Sequence, residues 1–218
     1  MKRQCICTVF AILALAVNNT FLSASVVYDE GVSGDLSNAQ ATPNTVVLAS
    51  GTNSVLGSIN SAASDPRDFI TVTVPAGLQL TQYVHVSFSG LATDQGFTGF
   101  HIGSTITGAV GTSGSYNGWS HYSQNANNSF INAFSTFNSI GQDLLPIMQT
   151  QSTGANGATG FSIPLASGDY AFLIQDTSGS GSYQFDFIVT PVPEPTSLAL
   201  AGFGAVAGFA RWRRRRTV

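Results

Sequence analysis

Tyr183, Phe185, Phe187 and Val189 alternate with the more polar series Gln184, Asp186, Ile188 and Thr190. A period of two over this length predicts a strand with one face on a core and the other toward water or a partner. The same pattern recurs in FITVTV, where Ile70, Val72 and Val74 alternate with Phe69, Thr71 and Thr73. It recurs in GDYAFLIQD, with Tyr170, Phe172 and Ile174 on one side, and in YVHVSFS, where Val84, Val86 and Phe88 are expected to point inward. Shorter strands are expected at 45–48, 54–59, 99–102 and 160–163. Between these runs stand Asp65-Pro66, Pro75-Ala76-Gly77, Ser167-Gly168-Asp169 and the Ser/Gly run 177–182, the turn chemistry of short antiparallel connections. Seven or eight short strands without a strongly periodic helix predict an all-β fold, an antiparallel β-sandwich.

Two stretches break the pattern. Across 127–149, Phe130, Phe134, Phe137 and Ile140 have partly helical spacing interrupted by Asn, Ser and Gly, which predicts a long loop with one helical turn near 143–148. The Gly/Ser/Asn-rich stretch 113–128 also reads as loop, and it holds Tyr116, Trp119 and Tyr122. Aromatic residues in such a loop either form a binding face for a glycan or peptide or fold back over an end of the core.

The termini follow other rules. Lys2 and Arg3 precede an apolar run over 5–17, followed by small residues Ser23, Ala24 and Ser25, the order of a secretory signal peptide. Signal peptidase is expected to cut after Ser25, with Ala24 the second choice. At the other end, Pro193-Glu194-Pro195 precedes an Ala/Gly-rich apolar segment over 198–210, then Arg211, Trp212 and the cluster Arg213, Arg214, Arg215 and Arg216. Thirteen residues make about 20 Å of helix, short of a hydrocarbon core of roughly 30 Å, so a transmembrane helix must draw in residues from Val192 to Trp212. The arginines would hold the C-terminus in the cytoplasm and leave the folded part outside. The organisation expected is therefore 1–25 signal peptide, 26–190 β-sandwich domain and 191–218 sorting and anchoring tail.

Setting the ends aside changes the charge. Residues 26–190 hold one base, Arg67, and ten acids, so the formal charge of that part is +1 − 10 = −9, against −3 for the whole chain. A domain with a single cation cannot neutralise a phosphate backbone, which excludes nucleic acid as a partner. Both cysteines, Cys5 and Cys7, lie in the leader. The remaining domain has no disulfide, thiolate ligand or thiol nucleophile.

Candidate chemistry is sparse. No G-x-S-x-G, H-E-x-x-H or P-loop pattern occurs. His85, His101 and His121 are too far apart for a local metal motif, and the phase of the first two predicts that they face solvent. Asp65 and Asp68 lie at a turn leading into a strand. They are candidates for a calcium contact, joined by Asp35 or a backbone carbonyl, since hard oxygen ligands suit Ca²⁺. The alternative is that these short carboxylates cap turn N–H groups.

The C-terminal order of Pro-Glu-Pro, short apolar segment and terminal arginines resembles the PEP-CTERM sorting signal of Gram-negative bacteria. The resemblance implies Sec export, temporary anchoring in the inner membrane and cleavage near the PEP motif by an exosortase. The folded part resembles the bacterial pre-peptidase C-terminal (PPC) type of β-sandwich, of jelly-roll kind, in YDEGVSGDLSNAQATP, DPRDFITVTVPAGLQLT and the closing GDYAFLIQDTSGSGSYQFDFIVT. That likeness implies a V-P-A-G turn and a closing hairpin, but no activity.

The leading expectation is an exported, non-catalytic cell-surface or matrix protein associated with exopolysaccharide or biofilm. A glycan- or protein-binding module using Tyr116, Trp119 and Tyr122 is the second reading, and a secreted hydrolase the third.

Overall fold

The computed structural model describes residues 24–61, 65–90, 95–111, 113–124, 138–151, 157–176 and 179–193. The transmembrane helix expected at the C-terminus and nearly all of the expected signal helix lie outside them, as do Phe130, Phe134 and Phe137.

The described residues fold into two five-stranded sheets. The first contains β1 (Ala24–Asp29), β3 (Gly51–Asn60), β5 (Leu78–Phe88), β8 (Gln142–Asp143) and β10 (Ser180–Pro191), in the order β1-β3-β10-β5-β8. The second contains β2 (Asn44–Val47), β4 (Arg67–Val74), β6 (Gly96–Ile102), β7 (Gly118–Tyr122) and β9 (Gly168–Asp176), in the order β2-β4-β9-β6-β7. Two short α-helices, α1 (Glu30–Ser33) and α2 (Leu145–Gln151), and one 3-10 turn at Ser113–Ser115 complete the described elements. The helical turn expected near 143–148 is thus present as α2, two residues late. The strand expected at 160–163 is absent; there the chain is irregular, and Leu165 alone bridges to Leu80.

The turns expected to close hairpins instead carry the chain from one sheet to the other. β1 to β6 alternate between sheets, and each crossing reverses the chain, so two crossings restore its direction. Strands two apart in sequence therefore run parallel, as β1 with β3 and β2 with β4 do. β10 then enters antiparallel between β3 and β5, and β9 antiparallel between β4 and β6. The sandwich is mixed rather than purely antiparallel. The expected closing hairpin is corrected likewise, because β9 and β10 are the central strands of different sheets.

The sheets face each other across one core. Tyr83 packs its ring 4.9 Å from Phe172 of the opposite sheet and 4.9 Å from both Phe185 and Phe187 beside it. The inward phase expected for β4, β9 and β10 is observed, with Ile70, Val72, Val74, Tyr170, Phe172, Ile174, Tyr183, Phe185, Phe187 and Val189 all buried. β5 departs from expectation. Register shifts against β10 at Gln184/Phe185 and Ile188/Val189 insert extra residues, and a bulge flips the phase of every side chain that follows. Tyr83 and His85 consequently enter the core, while Val84 and Val86 are half-buried on the other face.

The second sheet is covered on its outer face as well. Phe69, Ile106, Tyr116, Ala171 and Leu173 form a smaller cluster, flanked by half-buried Phe97, Val110 and Trp119. Tyr116 and Tyr122 fit because the strand offers no side chain beneath them: a Cβ at Gly99 would meet the Tyr116 ring, and one at Gly96 would strike Tyr122. Within the stretch read as loop over 113–128, residues 118–122 are strand β7, which pairs antiparallel with β6.

Candidate functional site

Three acids converge at one end of the sandwich. Glu30 opens α1, which Asp29 caps by accepting from the Gly31 N–H at 2.9 Å. Asp35 follows the helix and is exposed. Asp68 is the second residue of β4, in phase with Ile70 and Val72, so the strand turns its carboxylate inward, where it is fully buried. One carboxylate oxygen from each of the three lies within 4.8 Å of the others.

Each carboxylate is held differently. Glu30 accepts from Leu36 N–H at 3.0 Å through one oxygen, and from Ser58 N–H at 2.6 Å and Ser58 Oγ at 3.1 Å through the other. Asp68 Oδ2 accepts from the Tyr183 hydroxyl at 2.7 Å, a bond that joins the sheets. Its Oδ1 is buried without a partner among the described residues. Burial pushes the Asp68 carboxyl up to about 9, Tyr183 opposes that, and the charges of Glu30, Asp65 and Asp35 add to the rise. Burial raises Glu30 as well, against its hydrogen bonds. Tyr183 reaches Asp68 across a bare stretch of β3, since a Cβ at Gly57 would collide with its hydroxyl. A cavity of about 310 Å³ adjoins this end, lined by residues that include Glu30, Ser58, Ser87, Ser182, Tyr183 and Gln184.

Of the expected pair, only Asp68 belongs to this group. Asp65 accepts from Asn38 Nδ2 at 3.3 Å, and its backbone bridges to Asn60, so it serves the turn before β4. Glu30 was missed as a partner. Its one signal was chemical: it is the sole glutamate between 26 and 190.

The aromatic trio is not brought together as a surface. Tyr116 and Tyr122 are buried, Tyr122 against Phe88 at 5.3 Å and Phe185 at 5.2 Å. This corrects the reading of those two as loop residues open to a ligand, because β7 is a strand and Tyr122 faces inward from it. Trp119, on the opposite phase, is half-buried and stacks on Phe97 at 5.8 Å with His121 edge-on at 5.7 Å.

His85 also departs from expectation, lying inside rather than at solvent. Its Nδ1 is 2.8 Å from Ser139 Oγ, a Ser–His contact of the kind a hydrolase would need. Ser139 Oγ, however, donates to Ser123 O at 3.0 Å and accepts from Ser123 N–H at 2.8 Å. With its proton committed, it accepts from the imidazole, the reverse of what general-base activation requires. Both side chains are buried, and the contact ties the chain after residue 137 to the core.

The last strand determines where the tail leaves. β10 ends at Pro191, the Val192 N–H donates to Gly77 O at 2.9 Å, and Pro193 is exposed. Glu194, Pro195 and Arg213 to Arg216 lie outside the described residues. Among the described residues no helix is long and apolar enough to cross a membrane.

Residues 191–216 match the PEP-CTERM protein-sorting motif. No curated protein and no solved structure matches the chain. The motif marks an exported chain sorted through an exosortase, and it starts on the final residue of the central strand β10.

Proposed function

We propose that the protein is a non-catalytic component of the cell surface or extracellular matrix, associated with exopolysaccharide. In this reading Sec exports it, signal peptidase removes residues 1–25, the tail holds it briefly in the inner membrane, and exosortase releases the sandwich. The observation that carries the reading is the sorting motif at 191–216, joined to the domain at an exposed point just past its last strand. A cut near Pro193-Glu194-Pro195 would leave every strand of both sheets whole. The sandwich itself is of the PPC kind in this reading, supported by the sequence stretches that resemble it and by the two-sheet core.

Fractionation of native-host cells, with the mass of the C-terminal peptide as readout, tests the sorting. Glu194→Ala should leave uncut protein at the inner membrane. Neutral replacements at Arg213 to Arg216 remove the charge that stops transfer, and full-length protein should appear outside. Wild-type protein recovered outside with Arg216 still attached would refute the reading.

A second reading, a glycan-binding module, is favoured by the Trp119–Phe97 stack on the outer face of the second sheet. Binding on a glycan array that Trp119→Ala abolishes would support it over a purely structural role. The hydrolase reading draws no support from His85 and Ser139, whose contact is buried and oriented the wrong way.

A further inference from the structure

We propose that Glu30, Asp35 and Asp68 form a calcium site that clips the N-terminal segment to the end of the sandwich. The three ligands come from two separate places, Glu30 and Asp35 flanking α1 and Asp68 in β4 of the second sheet. Oxygens bound at 2.3–2.6 Å to one ion lie at most about 5 Å apart, and the three oxygens here lie within 4.8 Å of one another. Magnesium, at 2.0–2.1 Å, would hold them within about 4.2 Å and demands stricter geometry. The set has no imidazole or thiolate to favour zinc.

A second observation, at the buried member of the group, also points to a ligand. Asp68 is fully buried, Tyr183 occupies Oδ2, and Oδ1 has no partner among the described residues. A buried carboxyl oxygen without a partner is costly, and a cation is the partner that it could share with two further acids. No base competes for the position: Arg67 is the only lysine or arginine in residues 26–190, and strand alternation turns it to the face opposite Asp68. The hydrogen bonds from Leu36 and Ser58 orient Glu30 from behind, as outer partners of a metal ligand do. Water would complete the coordination.

The ion would act as a clip. β1 is an edge strand whose first three residues are exposed, and Glu30 follows it directly. Joining Glu30 and Asp35 to β4 would fix the start of the folded chain across both sheets.

The test uses the full chain in mild detergent, stripped with chelator and titrated with Ca²⁺ by calorimetry, with the melting temperature followed in parallel. One ion should bind per chain, with a dissociation constant between about 10 µM and 1 mM, and the melting temperature should climb with Ca²⁺ concentration. Mg²⁺ should bind at least about tenfold more weakly. Asp35→Asn, at an exposed position that folding does not need, should weaken Ca²⁺ binding about tenfold or more, and Asp68→Asn should abolish it. Asp65→Asn should leave it unchanged. No binding heat up to about 10 mM Ca²⁺, or binding that persists undiminished in both Glu30→Gln and Asp35→Asn, would overturn the site. Tail variants that block sorting leave these ligands intact, so the outcome is independent of the sorting reading.

Discussion

Tyr83 on β5 and Tyr183 on β10 each carry a hydroxyl from the first sheet to a side chain of the second. Tyr83 meets Thr98 Oγ1 at 3.0 Å, and Tyr183 meets Asp68 Oδ2 at 2.7 Å. The first contact is between two neutral hydroxyls, enclosed by Phe172, Phe185 and Phe187. The second ends on a carboxyl that has another oxygen unpartnered and two more acids beside it. Both tyrosines are buried and both bonds join the sheets, yet one completes the polar groups involved and the other leaves one over. A buried polar group is stabilising when satisfied and costly when it is not, so the Tyr83–Thr98 bond is explained by packing alone. The Tyr183 contact leaves a buried oxygen that packing does not satisfy.

Removing the Tyr83 ring should have the largest effect. Tyr83→Ala takes away the ring that touches both sheets and leaves a cavity among three phenylalanines, a loss of about 3–5 kcal/mol. Urea unfolding of the protein would measure it. A loss below about 1 kcal/mol would mean that this end is not the centre of the core.

Acid should act next, and at the same end. His85 lies on the Tyr83 face of β5, 5.1 Å from the Phe185 ring and 5.0 Å from Tyr122. Burial lowers its imidazole to about 4. The unfolded chain takes up the proton near pH 6.5 and the folded one near 4, so between these values the unfolded state binds more protons. The stabilisation is complete above about pH 6.5 and is lost as pH falls toward 4, by about 3 kcal/mol in total. Among the titratable groups around it, Tyr83 and Tyr122 stay neutral in this window, and burial raises the carboxyl of Asp143 on the adjacent β8 against the N–H groups of Tyr83 and Leu145 that bond its Oδ1, a contribution that wild type and His85→Gln share. The raised Asp68 carboxyl adds stability as pH falls over the same range, in wild type and variant alike, so the readout is the difference: denaturation midpoints from pH 7 to pH 4 should drop in the wild type relative to His85→Gln. Equal slopes would remove His85 as the source.

The difference between the two ends also separates what alternation could reveal from what it could not. The inward residues of β4, β9 and β10 were legible because a period of two depends only on the strand itself. The partner of each strand was not legible, because Pro75-Ala76-Gly77 makes the same turn whether the chain folds back into its own sheet or crosses to the other. His85 was misplaced for a related reason: the bulges in β5 are set by pairing with β10, more than ninety positions away. β1 was hidden behind the end of the leader, and it contains both Ala24 and Ser25, where cleavage is expected. A cut after Ser25 removes the first two of its pairings with β3, those to Thr52 and Asn53. At the acid end, Asp68 was legible from its position before an apolar run, whereas Glu30 reaches it only through the fold.

The finest test removes one oxygen from each tyrosine. Tyr83→Phe leaves Thr98 without its partner, and the threonine hydroxyl can turn toward a neighbouring carbonyl, so the cost should be about 1 kcal/mol. Ca²⁺ should not alter that figure, because no acid is involved. Tyr183→Phe removes the donor that holds Asp68 Oδ2 and leaves both oxygens of a buried carboxyl unpartnered, which should cost about 1–2 kcal/mol in chelator. If Asp68 is a ligand, saturating Ca²⁺ should recover part of that loss by giving the carboxylate a partner, and should do nothing for Tyr83→Phe. Unfolding both variants with and without Ca²⁺ gives four values. Equal responses to the ion in the two variants would mean that the two ends are alike, and that the unpartnered oxygen of Asp68 has no ligand to receive.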